Sequence, residues 1–334
     1  MEALAPESGS TRVAVAGLGL WGSNLARNFN ELSRLTWICD VNEERRAAAA
    51  SRYPATRATS SFEELLADDE VDAVVVATPV PTHAELARQA LAAGKHVFVE
   101  KPMALAAGEA EELVALAEER GLVLMPGHLL LYHPGVVKLK QLVDSGVLGE
   151  VLYVYGNRQN LGTIRPDENA LWSLGAHDLS IILYLIGEEP SELWARGESF
   201  LKPGVEDIVF CYLRFPSGKT AHMHLSWLDP HKMRRMTVVG KDKMAVFDDM
   251  ELDRKVTVYD SAAEPPIGTF GEWSTRVGDV HSPRVANAEP LRLECSHFLA
   301  LVHGDGDSLA AARAGLAVVR SLEQLQASLE RERV

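Results

Sequence analysis

Thr11-Arg-Val-Ala-Val-Ala-Gly-Leu-Gly-Leu-Trp-Gly22 sets a short apolar run, with Val13 and Val15, directly before three glycines spaced Gly-x-Gly-x-x-Gly. The run predicts a buried strand, and Ser23-Asn-Leu-Ala-Arg-Asn-Phe29 predicts the helix that follows at once. In that setting Gly17 permits the tight strand-to-helix turn, Gly19 lets the backbone approach a pyrophosphate, and Gly22 lets the helix lie close on the sheet. The helix N-terminus offers unpaired N–H groups and a partial positive charge to the phosphates, so Leu18, Leu20 and Trp21 are expected to border them. A second apolar run, Leu35-Thr-Trp-Ile-Cys39, ends in Asp40, which follows Gly19 by 21 positions. That spacing is close to the roughly 20 expected of a carboxylate that binds a ribose 2′-hydroxyl. A carboxylate there repels a 2′-phosphate, so NAD is favoured over NADP, a preference that Arg45 and Arg46 keep moderate.

The chain has 334 residues, enough for two domains, and its 47% hydrophobic and 24% charged residues are ordinary for a globular protein. A formal net charge of −14 argues against nucleic acid or an anionic membrane as partner, but not against a small anionic substrate held by local arginines. Cys39, Cys211 and Cys295 are widely spaced and form no Cys-x-x-Cys pair. They fit a reducing cytoplasm and give neither a disulfide framework nor a metal site. Residues 1–10 carry no apolar core of a signal peptide and predict a disordered lead-in. Apolar runs such as Ile181–Ile186 fall far short of the roughly 18 residues that span a bilayer.

From residue 11 to 126 short apolar runs alternate with helical periodicity, which predicts a doubly wound parallel sheet, the Rossmann arrangement. Ser61-Phe-Glu-Glu64 reads as a capping box, and Val71–Ala77 as an inner strand buried on both faces. From 127 to 290 the pattern shifts to strands with few helices, interrupted by one helix over 172–186. That predicts an α+β domain with a largely antiparallel sheet. Residues 216–219, Pro-Ser-Gly-Lys, read as its hairpin turn. Residues 291–330 predict two helices that pack back on the core.

In open α/β sheets ligands sit beyond the carboxyl ends of the strands, which singles out Thr78-Pro79, Glu100-Lys101-Pro102 and Gly127-His128. A lysine at a strand end can stabilise a developing alkoxide, and the Lys101–Pro102 bond can be cis so as to aim it. A reaction that moves a hydride from a secondary alcohol also needs a base near neutrality, and His177 is the candidate. His222 and His224 share one strand face, but two ligands make no zinc site.

Gly17-x-Gly19-x-x-Gly22, Ala77-Thr-Pro-x-x-x-His83, Gly94-Lys-His-Val-Phe-Val-Glu-Lys-Pro102 and Gly175-Ala-His-Asp178 together resemble the Gfo/Idh/MocA oxidoreductase family over nearly the whole chain. The resemblance implies a Rossmann domain, a C-terminal open-sheet domain, and dimers or tetramers that pair through that sheet. It also implies that Lys101 orients substrate and cofactor and that His177 takes the hydroxyl proton. Thr78, Pro79 and His83 would border the nicotinamide ribose, with Glu100 at the edge. Many members carry Asp four residues before the histidine, where this chain has Ser173. Serine cannot supply that charge, and Asp178 points about 100° from His177 on a helix.

The stretch from Gly156 to Trp172 is similar to the branch that oxidises nucleotide-linked amino sugars at the C3 hydroxyl. On that reading Arg158 and Arg165 hold a diphosphate, and Asn160 and Asn169 read hydroxyl or acetamido groups. Ser173 and Asp178 complete the expected substrate set. The expected activity is hydride transfer between NAD and a secondary alcohol of a sugar, C3 of a UDP-linked N-acetylamino sugar in its most specific form. A dehydrogenase or ketoreductase of a free sugar, inositol or another nucleotide sugar is the enzymatic alternative, and a non-catalytic NAD- or sugar-binding sensor the alternative of another class.

Overall fold

The computed structural model of the chain describes residues 11–162, 164–165, 168–266 and 271–332, so the expected lead-in lies outside it. The chain divides into two compact units, Met1–Leu129 with Glu289–Arg320, and Leu130–Ala288 with Ser321–Val334.

The first unit is built on β1 (Arg12–Ala16), β2 (Arg34–Cys39), β3 (Arg57–Thr59), β4 (Ala73–Val76), β5 (His96–Glu100) and β6 (Leu124–Gly127). They form one sheet in the order β3-β2-β1-β4-β5-β6, parallel throughout. The order reverses between β1 and β4, where open α/β sheets bind ligands. Every residue of β4 is buried, as its unbroken β-branched run predicts for an inner strand.

Between the strands run α1 (Leu20–Leu32), α2 (Glu43–Arg52), α3 (Phe62–Leu66), α4 (His83–Ala92) and α5 (Ala107–Arg120). Ser61 caps α3 by accepting the Glu64 N–H at 3.2 Å, as the capping box predicts. The return arm of the box is not made, because the Glu64 carboxylate takes the Thr59 hydroxyl instead. Far along the chain, α8 (Pro290–Val302) returns to this unit. Phe298 on α8 meets Phe29 of α1 and Phe98 of β5 edge to face, with centroids 5.9 and 5.7 Å away.

The second unit holds α6 (Pro134–Asp144), α7 (Ala176–Ile186) and eight strands. The strands are β7 (Val151–Gln159), β8 (Glu192–Glu198), β9 (Ile208–Arg214), β10 (Thr220–Ser226), β11 (Met233–Gly240), β12 (Met244–Asp248), β13 (Val256–Glu264) and β14 (Ser274–His281). Their order is β14-β13-β12-β11-β7-β10-β9-β8, and only β7 and β10 pair in parallel. The β9–β10 hairpin turns at 215–219, where Gly218 takes φ 85°. The final helix, α9 (Ala310–Glu332), contributes its residues from Ser321 onward here.

Three local features depart from the sequence expectation. β7 runs on through Gly156, Asn157 and Arg158, weak strand formers, because β10 and β11 pair with them on both sides. The helix expected over 172–186 opens with a π-turn, Leu171–Gly175, before α7 begins. β14 was not expected, since nearly all its residues are exposed and no apolar alternation marks it. No helix of the described residues is long and apolar enough to cross a membrane.

Phe298→Ala should lower stability by about 3–5 kcal/mol in urea titrations. A loss under about 1 kcal/mol would show that the α8 ring is not part of the first unit's core.

Candidate active site

At the strand-to-helix turn, Gly17 has φ 89° and a Cβ there would stand 2.4 Å from the Ala77 carbonyl oxygen. A Cβ on Gly22 would stand 1.8 Å from Gly17 O, so α1 touches the turn that precedes it. Gly19 differs, since a Cβ there would meet nothing within 4 Å. The N-terminus of α1 has no side-chain cap and no acidic residue in its first turn, while Leu20 is 84% and Trp21 46% exposed. Open space above Gly19, uncapped N–H groups and a first helical turn without acidic residues fit a pyrophosphate.

Leu18 does not share in that cradle as expected. Its side chain is buried and its N–H donates to Asp40 Oδ2 at 2.7 Å. Asp40 Oδ1 accepts the Asn42 N–H at 2.8 Å, so the carboxylate braces the glycine turn against the start of α2. Each oxygen keeps a second lone pair, which leaves Asp40 able to accept ribose hydroxyls as well. Arg46 donates to the Asp40 carbonyl at 2.7 Å, and Arg45 stands 3.9 Å from its carboxylate.

Beyond β4, Thr78 Oγ1 lies 2.7 Å from Thr82 Oγ1, and Thr82 donates to Pro79 O at 2.8 Å. Beyond β5 the Lys101–Pro102 peptide is cis, and the Lys101 N–H donates to the Glu100 carboxylate at 3.2 Å. Burial pushes the Glu100 carboxyl up to about 7, against the pull of the Lys101 charge. His83 is buried, with Nδ1 2.9 Å from Pro102 O and Nε2 2.8 Å from Thr78 O. It therefore faces backbone on both sides and does not line a ribose pocket itself. His128 is buried too, and burial pushes its imidazole down to about 4.

Glu294 on α8 escaped the sequence reading. It is fully buried, neither carboxyl oxygen has a hydrogen-bond partner among the described residues, and burial, seconded by Glu100, raises it well above the usual carboxylate range. The signal was a lone acid on the apolar face of Leu291–Val302, which reads as a solvated position unless the partner surface is known.

In the second unit His177 lies in the first turn of α7, half-buried, and Ser173 lies half-buried in the π-turn. Asp178 is buried and pairs with buried Arg158, whose Nε donates to Oδ1 at 2.7 Å and whose second nitrogen lies 2.6 Å away. The space exists because residue 156 is glycine, where a Cβ would stand 2.8 Å from Asp178 Oδ2. Arg158 and Asp178 are thus committed to each other, and neither charge is offered to a substrate as expected. Asn169 is also spent, because its oxygen accepts the Trp172 N–H at 3.2 Å and its nitrogen donates to Glu206 and Gln326 at 2.7 and 2.9 Å. Arg165 is ion-paired with Glu168 at 2.9 Å, and Asn160 is half-buried just beyond β7. Among the described residues no group of three His, Cys, Asp or Glu is placed to hold a metal.

The profile of the oxidoreductase family GFO_IDH_MocA, with an NAD-binding Rossmann fold, matches residues 11–128, and the profile of the GFO/IDH/MocA C-terminal domain matches residues 136–246. UDP-N-acetylglucosamine 3-dehydrogenase of Acidithiobacillus ferrooxidans is 30% identical over 96% of this chain and 97% of its own. A crystal form of the enzyme of that name and organism superposes with TM-score 0.82 at 28% identity, over 96% of this chain and 98% of that one. Inositol 2-dehydrogenase 2 of Paenarthrobacter aurescens is 31% identical over 91% of this chain and 92% of its own. GenD2 from gentamicin A biosynthesis, solved in complex with NAD, superposes with TM-score 0.79 at 27% identity over 97% of this chain and 95% of that one.

Gly22→Ala should cost about 1–3 kcal/mol of stability, whereas Gly19→Ala should leave the melting temperature unchanged and weaken NAD binding at least about tenfold. Calorimetry and thermal melts on both variants separate the two roles. Glu294→Gln should flatten the dependence of stability on pH. A carboxyl raised in the folded state stabilises below its unfolded pKa, and that contribution is lost as pH rises through the folded value. The gain in melting temperature over wild type should therefore grow from pH 5 to pH 8, and a constant difference would mean that Glu294 does not titrate with folding.

Proposed function

The chain belongs to the GFO/IDH/MocA family of NAD-binding oxidoreductases, and from that premise we propose that it oxidises a secondary alcohol of a sugar, in its most specific form C3 of a UDP-linked N-acetylamino sugar. The observation that carries the reading is full-length similarity to a dehydrogenase of such a sugar, on a first unit whose glycine turn, Asp40 brace and Lys101 turn fit a dinucleotide.

When bound, NAD supplies the acceptor for hydride. The uncapped start of α1 holds the pyrophosphate, and Asp40 receives the adenosine ribose, so NAD is preferred to NADP. His177 takes the hydroxyl proton in oxidation and returns it in reduction. The Lys101 ammonium lowers the energy of the alkoxide by charge and hydrogen bonding. Glu100, with a carboxyl near neutrality, balances that charge from the same turn.

A second substrate reading is a cyclic polyol such as inositol. It is favoured by the Arg158–Asp178 pair, which removes one of the two arginines expected to hold a diphosphate, and by the similarity to an inositol dehydrogenase. The assay that separates the readings follows NADH absorbance with UDP-N-acetylglucosamine, N-acetylglucosamine, myo-inositol and glucose, each with a ketone trap. Turnover of the UDP-sugar alone supports the first reading, and turnover of the polyol alone overturns it in favour of the second.

The chain further acts as a homo-oligomer in the cytoplasm. Support for the assembly comes from the open sheet face, where Trp194 stacks on Tyr212 and Tyr155 on His222 at 5.7 and 5.0 Å between centroids. Stacked rings that are exposed, as at Trp194 and His222, or half-buried, as at Tyr212 and Tyr155, are disposed for a second copy. Three buried, unpaired cysteines suit a reducing compartment.

Lys101→Ala and His177→Ala should each lower kcat at least about 100-fold with NAD affinity within about threefold of wild type, and undiminished turnover in either variant would take that residue out of the mechanism. Asp40→Ala should narrow the NAD over NADP preference and also weaken NAD, since the Leu18 N–H loses its acceptor.

A further inference from the structure

His83 is a titratable group of the recognised motifs that the reaction leaves unused. It opens α4, only 1% of its surface is exposed, and its two nitrogens face the carbonyls of Thr78 and Pro102 at 2.8 and 2.9 Å. Those carbonyls belong to two different strand exits, one after β4 and one after β5. Pro102 directly follows Lys101, so the carbonyl that faces His83 Nδ1 lies one residue beyond that lysine.

We propose that His83 is a positioning residue, a tie between the β4 and β5 exits that holds the backbone from which Lys101 projects. The inference rests on the reading of Lys101 as the group that stabilises the alkoxide. No atom of His83 touches substrate or cofactor in this role. The ring acts through Pro102 O, and its own backbone, at the start of α4 just beyond the β4 exit, anchors it. Burial, with the neighbouring Lys101 charge, holds the imidazole below its usual range. A neutral ring has one N–H to donate, and the tie to the Lys101 turn requires that it sit on Nδ1.

The side chains that test this differ in where they place a nitrogen. Asparagine puts its amide nitrogen near the position of Nδ1, glutamine near that of Nε2, and phenylalanine fills the space with no donor. All three are made in the full chain and saturated with NAD. The first readout needs no substrate. With [13C-ε]lysine the Lys101 signal, assigned by its loss in Lys101→Arg, is titrated in the NAD complex. Its midpoint should move by at least about 0.5 pH unit in His83→Phe and His83→Gln, and return toward wild type in His83→Asn. The second readout is kcat on whichever alcohol the enzyme oxidises. It should fall at least about tenfold in His83→Phe and His83→Gln at NAD affinity within about threefold, with His83→Asn recovering a third or more of wild-type kcat.

An unchanged Lys101 titration in His83→Gln overturns the proposal whatever the substrate proves to be. So does an equal fall of kcat, NAD affinity and melting temperature in all three variants, which would make His83 a packing residue. If His83→Phe does not fold, the contrast between asparagine and glutamine decides alone.

Discussion

The approach of Gly22 to the Gly17 carbonyl leaves no space for a side-chain carbon, and much of the first unit follows from that one contact. Because α1 lies against the turn that precedes it, and that turn lies against Ala77, the start of α1 stands at the exits of β1 and β4. Asp40 holds the same turn from the other side, by accepting the Leu18 and Asn42 N–H groups. The carboxylate that we propose to select the ribose is thus also the one that braces the glycine turn, so a substitution at that position acts on both.

Behind the Lys101 turn the first unit keeps groups that an apolar core would exclude. Glu100, His128 and Glu294 all feel strong desolvation, which raises the two acids and lowers the imidazole. The cause is the same for all three, since low polarizability favours whichever form is uncharged. Glu294 makes no hydrogen bond that would repay its burial among the described residues. Replacement by an apolar residue of similar size is the usual route to greater stability at such a place.

The second unit solves a related problem differently. Its sheet has a glycine at 156 beneath α7, and the Arg158–Asp178 pair fills the space. The pair is buried, so its worth lies less in net stability than in fixing the register of α7 on the sheet. His177 stands next to that anchored residue. The π-turn before it widens the helix around Ser173, which alters the direction of the residues between Leu171 and Gly175.

Local sequence pattern determined the alternation of strands and helices in the first unit, the glycine turn, the Ser61 cap and the 216–219 hairpin, because each depends on periodicity or on residues within a few positions of one another. The Lys101 turn was legible for the same reason. Tertiary structure alone decided which polar side chains remain available for chemistry. Arg158 finds its partner 20 positions away and Asn169 finds one 157 positions away, and in both cases the partner consumes the group that looked like a ligand. His83 and Glu294 are buried by elements that no periodicity connects to them. A side chain's type and spacing state what it is able to bind, but the burial and the distant partners that complete the fold settle what it has left to offer.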